Sequence, residues 1–356
     1  MKDVYSRHYL AKLADAMQKA HPAFDAEGFQ CAVLDEDWSA RELKARMHHI
    51  THCLHRYLGL PYRSALLVLR EACPPFGGYH GMFFPDYVQQ YGLGNWRDSL
   101  SALVYFTQYS SSEFAVRPFI EREPERMMAQ MLRWSGHANA HVRRLASEGC
   151  RPRLPWAPQL PGLIEDPSPI LPILERLRTD DSLYVRKSVA NNLNDIAKDH
   201  PETVLALVRQ WRGTHPHTDW ILKRGCRTLL KQGEPGALAA FDLPSPDHVR
   251  VVTFSCSPHV VFGEHLRIAL HLQTSQACLG LLRIEYAIEF VRSGSKRGLK
   301  VFQWSEKHHP VCDLTLEKCQ LLTPLSTRRL YPGEHILHLK VNGEVLATAV
   351  FQLSAA

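Results

Sequence analysis

The sequence predicts a multidomain protein: an all-α helical solenoid followed by an all-β sandwich. Three observations lead there. Apolar residues recur at helical spacing through roughly the first 240 positions. Three of the helices so predicted share one pattern: HVRRLASEGC from His141, YVRKSVANNL from Tyr184 and WILKRGCRTL from Trp220. Each has a branched apolar residue, then basic residues, then a small residue two turns on; Val142, Val185 and Ile221 lie 43 and 36 residues apart. Two-helix units repeating at that period are HEAT-like. After FDLPSPDHVR (241–250) the apolar period becomes two, in seven short segments separated by turn signals such as SGSKRG, YPGEH and VNGE. Seven strands in just over a hundred residues fit an immunoglobulin-like sandwich, without the Cys–Trp–Cys signature of an antibody domain. The domains are therefore expected at 1–243 (HEAT-like repeat) and 244–356 (immunoglobulin-like).

The elements follow in order. Tyr9, Leu10, Leu13, Met17 and Ala20 give a helix over 5–21. Helices follow over 24–34 and 38–58, the latter capped by Asp37 or Ser39 and stopped at Gly59. Pro61 starts a short helix over 61–72. The aromatic, Pro- and Gly-rich stretch from Cys73 breaks the regularity and reads as packing over a bundle end. From Trp96 on, helices are predicted over 96–109, 113–121, 124–135, 139–149, 169–178, 182–198, 201–212, 217–231 and 234–240. Their short connections require antiparallel neighbours. In a stacked repeat the second helix of each unit lines a concave face. That face would begin with Arg143 and Arg144, Arg186 and Lys187, and Lys223 and Arg224. The first basic residue of each pair also suits a structural role between neighbouring units.

Composition bounds the function. The chain has 356 residues, enough for a large core without disulfides, and a formal net charge of +6, which leans towards a polyanionic partner. Nine cysteines without a CxxC pair point to reduced thiols and a cytoplasmic protein, and argue against a cysteine-rich zinc site. His48, His52 and His55 share a helical face, but apolar flanks and the lack of HExxH speak against a metal. No segment reaches the length of a membrane span, and the N-terminus does not read as a targeting peptide. The expectation is a monomer without cofactor or metal.

The densest chemistry lies in RWSGHANAHVRRLASEGCRPRLPW (133–156), where five arginines surround a single carboxylate, Glu148. Spacing alone would pair Glu148 with Arg144 across one helical turn. By the same local reasoning, Glu113 is a capping-box acid three residues after Ser110. Asp195 belongs to the polar stripe of an amphipathic helix, and Trp156 anchors a proline-rich loop against the core.

These segments, with Glu113 in SSEFAVRPFI, VRRLASEGCRPRLPW and VRKSVANNLND, resemble the AlkC branch of bacterial DNA alkylation-repair glycosylases, over most of residues 1–243. An immunoglobulin-like C-terminal domain occurs in part of that group. The resemblance implies hydrolysis of the N-glycosidic bond of cationic N-alkylated bases such as 3-methyladenine and 3-methylcytosine in duplex DNA. It implies no metal or cofactor and, unlike most base-modifying enzymes, no base flipping. A cationic base is already a good leaving group, so such an enzyme must mainly stabilise an oxocarbenium-like sugar and position a water, both tasks for carboxylates. The positions matching the family are Glu113, Glu148 and Asp195, with Trp156 as an aromatic face for the sugar. Arg144 is then expected at a phosphate near the lesion, with Arg143, Arg151, Arg153 and Lys187 as further contacts. Arg292, Lys296, Arg297 and Lys300 in the loop RSGSKRGLK would let the sandwich act as a DNA clamp. The competing classes are a non-catalytic HEAT-repeat scaffold and an architectural DNA-binding protein. Neither needs Glu148 and Asp195 to converge.

Overall fold

The computed structural model describes residues 2–293, 296–323 and 329–355. Sixteen α-helices precede eight strands among these residues. The helices begin α1 (Arg7–Ala20), α2 (Ala26–Val33), α3 (Leu43–Leu58), α4 (Tyr62–Ala72), α5 (Phe83–Tyr91), α6 (Trp96–Phe106), α7 (Arg117–Arg122) and α8 (Pro124–Trp134). They continue α9 (Ala140–Glu148), α10 (Pro161–Glu165), α11 (Leu171–Leu177), α12 (Leu183–Ile196), α13 (Pro201–Trp211), α14 (Pro216–Gly225), α15 (Arg227–Gln232) and α16 (Pro235–Ala240). Packing divides the chain into two compact units, Met1–His200 with Trp211–Gly225, and Pro201–Gln210 with Cys226–Ala356. It thus groups the helices after residue 225 with the sheets, ahead of the 243/244 junction read from the sequence.

The first helices follow their periodicity. Ser6 caps α1 by accepting from the Tyr9 N–H at 3.2 Å, and the helix buries Leu10, Leu13, Ala14 and Met17 on one face. α3 starts at Leu43 rather than near residue 38, because residues 35–41 form turns tied by an Arg41–Asp35 ion pair. It ends where Gly59 adopts φ 57°, a left-handed stop. Three of the four histidines of α3 face α5: His48 meets Asp86 at 3.0 Å, His52 the Tyr91 hydroxyl at 3.3 Å, and His55 the Tyr87 hydroxyl at 2.9 Å.

The internal repeat is visible in its bonding. The Arg143 Nη1 donates to the carbonyls of His137 (3.0 Å) and Ala138 (2.7 Å). Arg186 repeats this one unit later, donating to Asp180 and Asp181, both at 2.8 Å. In each case the guanidinium reaches back six and five residues and closes the loop that enters its helix. The two helices lie side by side, with the Ser147 and Ser188 hydroxyls 2.5 Å apart and Asn192 donating to the Ser147 carbonyl at 2.8 Å. α14 continues the row: a Cβ at Gly225 would stand 2.9 Å from that of Leu193, so the small residue permits the close approach. The single helix expected over 217–231 is broken at Cys226 into α14 and α15.

The strands are β1 (Arg250–Cys256), β2 (His259–Val261), β3 (His265–Gln273), β4 (Gly280–Val291), β5 (Arg297–His309), β6 (Asp313–Leu321), β7 (Gly333–Val341) and β8 (Glu344–Ser354). They form a three-stranded sheet, β1-β3-β6, and a five-stranded sheet, β2-β8-β7-β4-β5. Leu266 and Ile268 from the first meet Tyr286, Ile288, Leu337 and Phe351 from the second in one apolar core. Seven of these strands were legible as alternation. β2, three residues pairing parallel to β8, is too short to display a period. The sandwich is tied to α15 and the following loop within its own unit. Lys340 Nζ donates to the Lys231 carbonyl at 2.7 Å, and Asn342 to that of Pro244 at 2.9 Å. Among the described residues no helix is long and apolar enough to cross a membrane.

Candidate active site

Three predicted carboxylates come together in the first unit, joined by two arginines. Glu113 lies in the turn before α7, Glu148 is the last residue of α9, and Asp195 is the penultimate residue of α12. Arg144 Nη1 stands 2.5 Å from Glu113 Oε2, and its Nη2 stands 3.4 Å from Glu148 Oε1. Arg151 Nη1 donates to the same Glu148 oxygen at 2.7 Å, while its Nε donates to Asp195 Oδ2 at 2.9 Å. Lys198 ends the row, 3.1 Å from Asp195 Oδ1. Acid and base thus alternate from Glu113 to Lys198. The i, i+4 pair expected between Arg144 and Glu148 exists, but it is the longer of the two contacts to Glu148.

Burial makes this ladder costly to assemble and strong once made. Glu148, Arg151 and Asp195 are 5%, 6% and 2% exposed. An isolated charge there would be heavily penalised; neighbours of opposite sign offset that penalty. Burial works against the charge of Arg144, yet Glu148 and Glu113 hold its pKa above the ordinary arginine value. Arg151 is likewise raised, burial being outweighed by Glu148 and Asp195. Two carboxylate oxygens are left over. Every hydrogen bond to Glu113 and Glu148 from the described residues falls on Glu113 Oε2 or Glu148 Oε1. Glu113 Oε1 and Glu148 Oε2 therefore keep their lone pairs for something else. The capping reading of Glu113 fails: Ser110 Oγ donates to the Gly78 carbonyl at 2.7 Å, and it is Ser111 that donates to Glu113, at 2.9 Å.

Trp156 sits in the loop between α9 and α10. Leu154 and Leu160 are buried and anchor that loop, whereas Trp156 is 58% exposed, so its indole does not serve as a core anchor. Its backbone has φ 66°, a left-handed conformation that costs a bulky residue about 1–3 kcal/mol. Arg117, 3% exposed, holds the loop through its carbonyls. Its Nη1 donates to the carbonyls of Gly149 (3.1 Å) and Arg151 (2.8 Å), and its Nη2 to that of Pro158 (2.6 Å). It has carbonyls where the other two arginines have carboxylates, and burial pushes its pKa down to about 10. Lys44 Nζ donates to the Trp156 carbonyl at 2.8 Å.

The predicted basic residues divide by environment. Arg143 is bound to Asp180 at 2.6 Å as well as to the two carbonyls, a structural role that leaves it poorly placed for phosphate. Arg151 is buried between two carboxylates and acts as their bridge rather than as a surface cation. Arg153 pairs with Asp199 at 2.8 Å at the surface. Lys187 is exposed. Lys296 and Arg297 are exposed at the β4–β5 hairpin, where the Arg292 N–H donates to the Lys296 carbonyl at 2.8 Å. Gly294 and Ser295 of that loop lie outside the described residues. Arg292, Lys296, Lys300 and Arg329 line a concavity of about 590 Å³ beside it.

Sequence reasoning passed over Lys198 and Ser111 in the ladder itself and three contributors around it. Arg117 stands as a lone charge in the apolar run FAVRPFI, a signal that could have marked it. Tyr184 opens the second repeat; its ring lies under the Arg144 guanidinium at 4.7 Å and its edge meets His141. Lys44 gives no sequence signal, because its partner lies 112 residues away.

Residues 107–229 match the family described as DNA alkylation repair enzyme, and residues 250–355 match the one described as the C-terminal Ig-like domain of uncharacterised protein YhaZ. The chain is 46% identical to the uncharacterized protein YhaZ of Bacillus subtilis (strain 168) over 99% of both chains. It superposes on the Pseudomonas fluorescens alkylpurine DNA glycosylase AlkC, solved bound to DNA containing an abasic site analog, with a TM-score of 0.94. Identity there is 37%, again over 99% of both chains. The chain belongs to the DNA alkylation repair enzyme family, in its AlkC-type branch with a C-terminal immunoglobulin-like domain.

Proposed function

We propose that the chain is a DNA glycosylase that hydrolyses the N-glycosidic bond of cationic N-alkylated bases, 3-methyladenine and 3-methylcytosine, in duplex DNA without flipping the base. The observation that carries this reading is the pair of uncommitted oxygens, Glu113 Oε1 and Glu148 Oε2, on carboxylates held in place by Arg144 and Arg151. A sugar that becomes cationic as the base departs is attracted to such preorganised oxygens, and a water bonded to one of them is aimed at the anomeric carbon. The indole of Trp156 would lie against the same sugar and add cation–π attraction. A protein-binding scaffold has no need to bury Glu148 and Asp195, with Glu113 half-buried next to them, beside two guanidinium groups.

The leaving group is already cationic, so the reaction calls for no Lewis acid and little general acid. Incubating the full chain with methylated duplex DNA should therefore release 3-methyladenine and 3-methylcytosine, at a rate unchanged by EDTA. No base release, with duplex binding intact, would leave an architectural DNA-binding protein; release abolished by chelation would overturn the mechanism.

Phosphate contacts are assigned to Lys187 and Arg153 in the helical unit and to Lys296 and Arg297 in the sandwich; Arg144, expected at a phosphate, is instead committed to Glu113 and Glu148. Each phosphate neutralised releases counterions, so affinity should fall steeply with salt. Replacing Lys296 and Arg297 together by Glu should weaken duplex binding and lower the slope of log K against log salt by roughly one to two. The first-order rate of base release at saturating enzyme should stay the same. An unchanged slope would remove the sandwich hairpin from the DNA-binding surface.

A further inference from the structure

Lys44 has no place in the ladder, yet it touches two of its flanks. Its ammonium donates to the Trp156 carbonyl at 2.8 Å and stands 4.9 Å over the ring of Phe114, the neighbour of Glu113. It therefore ties the turn carrying one carboxylate to the loop carrying the exposed indole. The Trp156 backbone needs such a tie. At φ 66° it lies in a region that a side chain with a Cβ leaves readily unless its surroundings hold it. Arg117 fixes the carbonyls of Arg151 and Pro158, on either side of Trp156. Among the described residues, Lys44 is the donor at the carbonyl of Trp156 itself. Lys44, Phe114, Arg117 and Pro158 line a cavity of about 50 Å³, so the loop is not close-packed on this side.

We propose that Lys44 is a positioning residue. Its charge-assisted bond, seated on Phe114, holds Trp156 in the left-handed conformation and thereby sets where the indole meets the sugar. The consequence for rate rests on the glycosylase reading; the consequence for the indole does not. Lys44→Met keeps the aliphatic stem over Phe114 and removes only the donor. It should lower the first-order rate of base release by roughly tenfold while duplex affinity stays unchanged. Lys44→Arg, which restores a cationic donor, should recover most of that loss. Because Lys44 acts through Trp156, the double variant Lys44→Met with Trp156→Ala should be no slower than Trp156→Ala alone.

The test that does not depend on activity uses the full chain labelled with 5-fluorotryptophan. The chain has seven tryptophans, and the ¹⁹F signal of Trp156 is assigned by its loss in Trp156→Phe. Lys44→Met should shift or broaden the Trp156 signal in the free protein. A Trp156 signal untouched by Lys44→Met overturns the proposal. So do additive rate losses in the double variant, or an affinity loss at constant rate, which would make Lys44 a phosphate contact. A wild-type chain that releases no base overturns the glycosylase reading instead, and the ¹⁹F signal then decides the anchor by itself.

Discussion

Glu148→Gln is expected to slow single-turnover release of 3-methyladenine by about a hundredfold or more, with duplex affinity retained. The substitution keeps the shape of the side chain and an oxygen for Arg151, whose Nη1 donates to Glu148 Oε1 at 2.7 Å. What it removes is the negative charge at Oε2, the atom left without a donor. Losing one preorganised electrostatic contact to a developing charge costs about 10²–10³ in rate in other enzymes. Asp195→Asn should also slow release, with an added cost in stability. Both Asp195 oxygens already accept, from Arg151 at 2.9 Å and Lys198 at 3.1 Å, and an amide nitrogen cannot accept at either position. Rates measured on fractions shown to be folded by circular dichroism separate the two effects. Glu148→Gln at wild-type rate would sink the assignment of this carboxylate to the chemistry.

Arg151→Met is expected to destabilise the helical unit by about 3–5 kcal/mol, the usual cost of removing one partner from a buried ion pair. Met fills much of the same volume, so the loss is electrostatic rather than a cavity. Glu148 would keep only the 3.4 Å contact to Arg144, and Asp195 only Lys198, whose side chain is 41% exposed. A thermal melt should show the transition of the helical unit lowered by roughly 10 °C, with that of the sandwich unmoved. A melt within about 2 °C of wild type would mean that the ladder is far better solvated than its burial indicates.

Much of the architecture could be read from residues alone, and the reasons are local. Helical and two-residue periods depend on neighbouring positions, so the repeat helices and seven of eight strands declared themselves. The repeated Val-Arg pattern marked an arginine with a structural role between neighbouring units; Arg143 does reach Asp180, and both Arg143 and Arg186 also close their own entering loops by bonds to carbonyls five and six residues back. Boundaries were weaker. Glu113 stands ahead of α7 because the 110–113 turn answers to Gly78, Leu103 and Arg144 rather than to a helix cap. Cys226 breaks a continuous helical pattern that only the single Gly225 before it announces.

The candidate site divides in the same way. Glu113, Glu148, Asp195 and Trp156 could be singled out by resemblance, and Arg144 by its neighbour Glu148 one turn along the helix. Sequence by itself determined a helical repeat, a sandwich, and which segments carried charge. Only the tertiary structure decided that Arg151 faces inward to bridge Glu148 and Asp195, 44 residues apart from the latter. Only it decided that Arg143 is spent on Asp180 and that Trp156 faces outward on a backbone bound by Lys44. Charge patterning treats every arginine as solvated; whether one is depends on the surfaces folded around it. Burial at Arg151 turns a would-be phosphate contact into the clasp between two carboxylates.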